Sequence, residues 1–105
     1  MAGEKDLIEE LKKFKIKTSE DIPIQKLILF GSRVTGKAGK DSDVDLIVVS
    51  KNFKKLNFIR RAAKMYDYWD LKLPVDFLCY TPEEFEKLRK QVSIVSEALK
   101  EGIEV

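Results

Sequence analysis

Three short apolar runs constrain the fold of this chain more than any other feature. They are QKLILF at 25–30, DVDLIVV at 43–49 and VDFLCY at 75–80, with Gly31 directly after the first run and Pro74 directly before the third. Runs of this length, rich in apolar and β-branched residues and bounded by turn residues, are typical of buried strands. We therefore predict three strands.

Helical periodicity occupies the segments between and around these strands. Residues 3–15 carry one apolar stripe with Glu early and Lys late, as the helix dipole favours. Ser32 is predicted to cap a short helical turn, and a longer helix is predicted over 54–69. The residues expected to face the core are Leu7, Ile8, Leu11 and Phe14 in the first helix, and Leu56, Ile59, Ala63 and Tyr66 in the longer one.

The last predicted helix has the clearest start signal. Thr81 is a good N-cap, Pro82 suits the first helical position and Glu84 completes a capping box. Gly102 is expected to end this helix. Its predicted inward residues are Phe85, Leu88, Val92, Val95 and Leu99.

The resulting order is αβαβαβα. If Gly31 and Asp43 share a site, the first two strands run antiparallel, and placing Asp76 at the same site requires the second and third strands to run parallel. The 54–69 helix supplies the crossover that a parallel pair needs. We therefore predict an α/β (α+β) fold with a small mixed sheet, in one domain over residues 1–105, as suits a chain of this length.

Composition excludes several classes of chemistry and location. The chain has no histidine, which rules out histidine-based triads and histidine-ligated zinc, and its single cysteine, Cys79, is predicted to be buried and inert. A net charge of +2 gives no field that favours a nucleic-acid partner. No segment approaches the ~20 apolar residues of a membrane span. A cytoplasmic protein whose chemistry rests on carboxylates is expected.

Three aspartates stand at the mouths of two predicted strands. Asp43 and Asp45 are two residues apart, so their side chains leave one face of a strand, roughly 6.6 Å apart along it. Asp76 holds a similar place in the third strand. Carboxylates crowded at one sheet edge repel each other unless a cation offsets their charge, and Mg²⁺ accepts few carboxylates together with phosphate oxygens.

Gly31 and Ser32 add a candidate phosphate site. Glycine allows close approach of the backbone, and the start of a helix presents free N–H groups to an anion. Arg33, Lys37 and Lys40 lie in the same loop and could add positive charge, although the two lysines also suit a solvated loop.

The segment LILFGSRVTGKAGKDSDVDLIVV resembles the hallmark of the polymerase-beta-like nucleotidyltransferases. Arg33, Gly36, Ser42 and the later VDFLCYTPEEF are similar to the minimal nucleotidyltransferase branch. The resemblance implies that Asp43, Asp45 and Asp76 bind two Mg²⁺ ions and catalyse the reaction, with Asp76 also helping to deprotonate the acceptor. It implies that Gly31, Ser32, Arg33 and Ser42 bind the nucleotide.

The same resemblance implies a partner. Minimal nucleotidyltransferases of this kind are paired with helical HEPN proteins in toxin–antitoxin systems, where they transfer AMP from ATP to a tyrosine of the toxin. We therefore expect ATP as substrate, a HEPN-type toxin as acceptor, and no membrane or nucleic-acid partner.

Other interpretations of the sequence stay open. The chain could neutralise its partner by contact alone, or it could modify a small molecule or nucleic acid in a pocket built by oligomerisation. The basic run from Lys51 to Lys64 suits a solvated helix face as well as an acidic partner or RNA. The aromatics Tyr66, Tyr68 and Trp69 cannot all face one small core, so some belong to a surface that could bind a partner or a second copy.

Overall fold

The computed structural model describes residues 4–35 and 43–105. Within them no helix is long and apolar enough to cross a membrane. The elements are, in order, α1 (Glu4–Ser19), β1 (Lys26–Phe30), α2 (Ser32–Thr35), β2 (Val44–Val49), a 3-10 helix (Lys51–Lys55), α3 (Phe58–Tyr66), β3 (Val75–Tyr80), α4 (Pro82–Arg89), α5 (Ile94–Glu101) and β4 (Ile103–Glu104).

The four strands form one mixed sheet in the order β3-β2-β1-β4. β1 and β2 are antiparallel and β2 and β3 are parallel, which confirms the predicted directions. β4 was not predicted. It consists of two residues that follow Gly102 and pair antiparallel with Ile28 and Leu29, so it covers part of the outer edge of β1. Such a short strand has no periodicity that a sequence could reveal.

Helices cover both faces of the sheet. Side chains alternate along each strand: Leu46 and Val48 of β2 pack with α1 residues on one face, whereas Ile47 and Val49 pack with α4 and α5 on the other. Both faces of the central strands are therefore buried, which explains why their sequences are apolar runs with little polar alternation. The predicted mixed sheet covered by helices is confirmed.

The predicted 54–69 helix is wrong in extent and in face. α3 begins only at Phe58, because the Asn57 side chain caps it by accepting from the Arg60 N–H, while residues 51–55 form a separate 3-10 helix. Ile59 is 80% exposed, and Ala63 and Tyr66 are also exposed, whereas Arg61 and Met65 face the core. Leu56 lies before the helix and is half-buried.

A buried arginine is the physical reason for the reversed face. Arg61 is only 7% exposed, and its Nε donates to the carbonyls of Phe53 and Leu56 while Nη1 donates to the Cys79 carbonyl. Its guanidinium also forms an ion pair with Glu84 at 2.6 Å. A charged group can be buried where its donors are satisfied in this way. A pattern of apolar residues does not predict that an arginine will face inward.

The predicted last helix is two helices. α4 begins with the expected capping box of Thr81 and Glu84, but it ends at Arg89. The Ser93 hydroxyl donates to the Leu88 carbonyl and accepts from the Ser96 N–H, which starts α5 with a second capping box. Val92, predicted to be inward, is 99% exposed in the connection, and Leu99 is 39% exposed, whereas Phe85 and Val95 are buried. Gly102 ends α5 as expected.

Two helix boundaries differ slightly from their predictions. α1 continues to Ser19, beyond the predicted end at residue 15. α2 begins at Ser32 itself, and the Gly31 carbonyl accepts from the N–H groups of Val34 and Thr35, so Gly31 holds the cap position that was predicted for Ser32. Cys79 is fully buried, as predicted.

Candidate active site

The sheet register brings Asp45 and Asp76 side by side. Asp45 of β2 is the direct partner of Asp76 of β3, so the two side chains leave the same face of adjacent strands. Farther along this face the sheet is covered by α4 and α5, which pack on Ile47 and Val49. The aspartates lie beyond these helices, at the end of the sheet where β2 and β3 begin: Asp45 is half-buried and Asp76 is exposed.

Asp43 completes the acidic group two residues before Asp45, at the start of β2, where it is exposed. Burial raises the pKa of Asp45, and the neighbouring charges of Asp76 and then Asp43 raise it further. Asp45 is therefore within electrostatic reach of both other carboxylates. A cation that enters this end of the sheet would stabilise the ionised form of Asp45.

The donor set suits magnesium shared with a phosphate ligand. Within residues 4–35 and 43–105, no three acidic, histidine or cysteine side chains form a complete ligand set for one metal ion. Mg²⁺ does not require one, because it usually takes one or two carboxylates and completes its octahedron with waters and substrate phosphate oxygens. Hard oxygen donors at this edge fit Mg²⁺, and the chain has no histidine for softer metals.

Gly31 links the acidic group to the start of α2. Its φ of +80° lies in the left-handed region, and a Cβ at this position would overlap the Asp45 carboxylate. Only glycine lets the backbone pass this close to Asp45 without strain. Gly31 thus connects the end of β1 to the start of α2 and holds the backbone against this carboxylate.

The predicted nucleotide-binding residues divide into two groups. Gly31, Ser32 and Arg33 lie at the start of α2 and all three are half-buried, with Gly31 directly against Asp45. Ser42, together with Gly36, Lys37 and Lys40, falls outside the described residues. The roles of these residues, and those of the three aspartates, stay predictions.

Tyr66 was assigned to the core by sequence but lies beside the acidic group. Its hydroxyl donates to the Val75 carbonyl at 2.8 Å, and its ring meets Phe77 edge-on at 5.1 Å. Burial raises the pKa of Tyr66, and the charges of Asp76, Cys79 and Asp43 raise it further. The sequence signal was an aromatic residue with a polar tip at the end of a helix, which suits a position between core and solvent.

The other two aromatics of this segment are engaged by the protein itself. The Tyr68 hydroxyl donates to Asp21 at 3.0 Å, and the Trp69 ring N–H donates to the Leu73 carbonyl at 2.9 Å. Tyr66, at 46% exposed, is the most exposed of the three, which confirms that they do not all face the core.

Comparison with known proteins gives the family. The sequence model of the nucleotidyltransferase domain matches residues 8–105, nearly the whole chain. The chain belongs to the nucleotidyltransferase domain family, and it is a nucleotidyltransferase. The resemblance found in the sequence is thereby confirmed at the level of family, fold and enzyme class.

A relative and two solved structures agree with this assignment. The chain is 33% identical over 100 residues to the Haemophilus influenzae protein named "Probable protein adenylyltransferase MntA", covering 91% of this chain and 86% of the relative. A Sulfolobus solfataricus protein assigned as a nucleotidyltransferase has the same fold, with a TM-score of 0.67, 19% identity and coverage of 96% and 80%.

The second solved structure is a toxin–antitoxin complex with AMP-PNP. One of its chains superposes with a TM-score of 0.56 and 21% identity, covering 91% of this chain and 69% of that one. At this identity the similarity is one of fold.

Proposed function

We propose that this nucleotidyltransferase transfers AMP from ATP to a hydroxyl group of a partner protein, with Mg²⁺ held by its aspartates. We further propose that the partner is a HEPN-type toxin, that the acceptor is a tyrosine, and that the chain is the antitoxin. The observation that carries the proposal is the pairing of Asp45 with Asp76 across β2 and β3, with Asp43 beside them and Gly31 against Asp45.

The chemistry follows from where these groups lie. Asp43 and Asp45 would hold Mg²⁺ together with the triphosphate, and Asp76 would complete a second ion site and accept the acceptor's proton. Bound Mg²⁺ would supply charge stabilisation at the attacking and leaving oxygens. The acceptor oxygen bonds to the α-phosphorus, the bond from that phosphorus to the β-phosphate bridging oxygen breaks, and pyrophosphate leaves with the electron pair.

The start of α2 would position the triphosphate. Gly31 keeps the backbone of this turn against Asp45. Ser32 and Arg33 would donate to the phosphates, and Ser42 belongs to the same proposed set. Because positioning and fixed electrostatics supply most of the acceleration in phosphoryl transfer, small shifts of Asp45 relative to Gly31 would be costly for the rate.

Two comparisons support the choice of a protein acceptor. The Haemophilus influenzae relative is named as a protein adenylyltransferase. The toxin–antitoxin structure combines this fold with an ATP analogue and a partner protein. Both are consistent with AMP transfer between the members of a toxin–antitoxin pair.

Label transfer tests the proposal. The purified chain is incubated with Mg²⁺, ATP labelled at the α-phosphate, and the helical protein encoded by the adjacent gene. We expect labelled AMP on the partner, and a loss on the order of 10²-fold or more with Asp43→Asn, because an ionised group that stabilises the transition state is removed. Asp70→Asn is the matched control: Asp70 is exposed and pairs only weakly with exposed Lys17. Absence of transfer by the unaltered chain contradicts the proposal.

A second candidate function is neutralisation of the partner by contact alone. The exposed apolar residues of α3, with Ile59 at 80%, favour it, because such side chains often belong to protein interfaces. It predicts that Asp43→Asn and Asp45→Asn still neutralise the toxin in cells. Loss of neutralisation in both variants, with folding intact, excludes it.

A further inference from the structure

α3 runs beside the free edge of β3 and is fastened to it by polar side chains. β3 is an outer strand of the sheet, and two of its carbonyls accept from α3: that of Cys79 from Arg61 at 3.2 Å and that of Val75 from Tyr66 at 2.8 Å. An outer strand normally presents unpaired backbone groups to solvent. Here α3 satisfies two of them, which fixes the rotation of the helix about its axis.

This rotation leaves an apolar stripe facing outward. Ile59, Ala63 and Tyr66 are spaced by four and three residues, so they line one side of α3, and all three are exposed. We call these three residues the α3 stripe. Ile59 is 80% exposed, more than any other described large apolar side chain within a helix. Its burial by another surface would remove an unfavourable contact with water.

The α3 stripe is continuous with the acidic group. The Tyr66 hydroxyl binds the carbonyl of Val75, the residue directly before Asp76, so the stripe ends where the proposed proton acceptor begins. A macromolecule that brings a hydroxyl to Asp76 across the β3 edge would therefore pass beside Tyr66. The stripe is a natural contact for a large acceptor, whereas a small acceptor would not reach Ile59, two helical turns away.

Positive charge borders the stripe. Arg60 and Lys64 lie next to it on the exposed side of α3, and neither forms an ion pair with the described residues. These two cations beside the α3 stripe favour a partner whose contact surface has apolar side chains flanked by Asp or Glu.

We propose that the α3 stripe is the docking surface for the acceptor protein, which presents an apolar helical face with acidic flanks and so brings its hydroxyl to Asp76. This inference rests on the proposed function and adds to it the site of partner recognition. The α3 stripe is small, whereas a stable dimer buries about 800 Å² on each partner. The stripe therefore suits an acceptor that binds transiently better than it suits a second copy of the chain.

Matched charge insertions test the inference. Ile59→Glu places a charge in the stripe, and Val92→Glu does the same at a 99% exposed apolar residue between α4 and α5. Both positions are exposed, so both variants should fold, which circular dichroism checks. Titration calorimetry then measures affinity for two ligands: the helical protein encoded by the adjacent gene, and ATP with Mg²⁺.

We expect Ile59→Glu to weaken partner binding at least tenfold, as loss of a central interface contact does, and Val92→Glu to change it less than twofold. Affinity for ATP with Mg²⁺ should be unchanged in both variants, because neither residue touches the acidic group. Ala63→Glu should reproduce the effect of Ile59→Glu.

Other outcomes separate this inference from the proposed function. Equal partner binding by Ile59→Glu and the unaltered chain, or no binding by the unaltered chain, overturns the docking surface. If Ile59→Glu weakens binding but no AMP is ever transferred, the proposed reaction fails and the docking surface stands. If sedimentation shows that the chain alone is a dimer that Ile59→Glu dissociates, the stripe binds a second copy and the inference is wrong.

Discussion

Replacement of Gly31 by alanine tests the geometry of the active site most directly. The φ of Gly31 is +80°, and an L-residue with a Cβ in this region costs about 1–2 kcal/mol relative to glycine. The smaller entropy of the unfolded alanine chain offsets roughly 0.4–1 kcal/mol. The backbone effect alone is therefore expected to lower the free energy of unfolding by about 1 kcal/mol. For a domain of about 100 residues, this lowers the melting temperature by about 4–8 °C.

The contact adds a catalytic effect. The new Cβ would overlap the Asp45 carboxylate, so this side chain must rotate or the backbone must move. Either change displaces a proposed magnesium ligand relative to the phosphate site. Because a displacement of about 1 Å can cost about 10²-fold in rate, we expect AMP transfer to fall by about that factor at saturating ATP and Mg²⁺.

Gly102→Ala is the matched control. A Cβ at Gly102 would lie 2.6 Å from the Ala98 carbonyl oxygen and 2.9 Å from Ile28 Cγ2, so this variant should also lose stability. Its φ of −69° is an ordinary value, and the nearest atoms that its Cβ would meet belong to Ala98, Ile28 and Leu29 and not to an aspartate. Urea unfolding and label transfer per folded molecule are measured for both variants. Equal transfer rates for Gly31→Ala and Gly102→Ala would refute the assigned role of Gly31.

Three further predictions concern ionisation and capping. The Arg61 guanidinium, and then the Thr81 N–H, hold the pKa of Glu84 below its ordinary value against the opposing effect of burial. Because the unfolded chain then binds more protons, this contribution to stability is present above the unfolded carboxyl pKa of about 4 and is lost as pH falls through the lower folded value. Glu84→Gln, which can still accept from Thr81, should therefore destabilise the chain at pH 7 more than at pH 3 in urea unfolding; an equal loss at both pH values would contradict this. Burial raises the pKa of Cys79 to about 12, against the smaller opposing effect of Arg61, so a disulfide reagent at pH 8 should label the thiol only after unfolding. Labelling of the folded chain at the rate of the unfolded one would show that Cys79 is accessible. Thr81→Ala should lower the free energy of unfolding by about 1 kcal/mol, because the first turn of α4 loses its cap, and an unchanged urea midpoint would argue against the capping box.

Some features of the active site could be predicted because they depend on local patterns. The period of two along a strand places Asp43 and Asp45 on one face, and this holds wherever the strand packs. The alignment of Asp45 with Asp76 required a further assumption, that both strands open at one site, and the parallel register confirms it. The contact between Gly31 and Asp45 could not be foreseen, because it depends on how β1 ends against β2.

The sequence by itself determined the three long strands, their directions, the capped start of α4 and the burial of Cys79. Each follows from short-range rules: apolar runs must be buried, and orphan N–H groups at a helix start need an acceptor. Tertiary structure alone decided which side of α3 faces inward, where the last helix divides, and that β4 pairs with β1. In α3, Ile59 and Ala63 remain exposed because Arg61 and Tyr66 donate to carbonyls on the edge of β3 that lie 18 and 9 residues away in sequence.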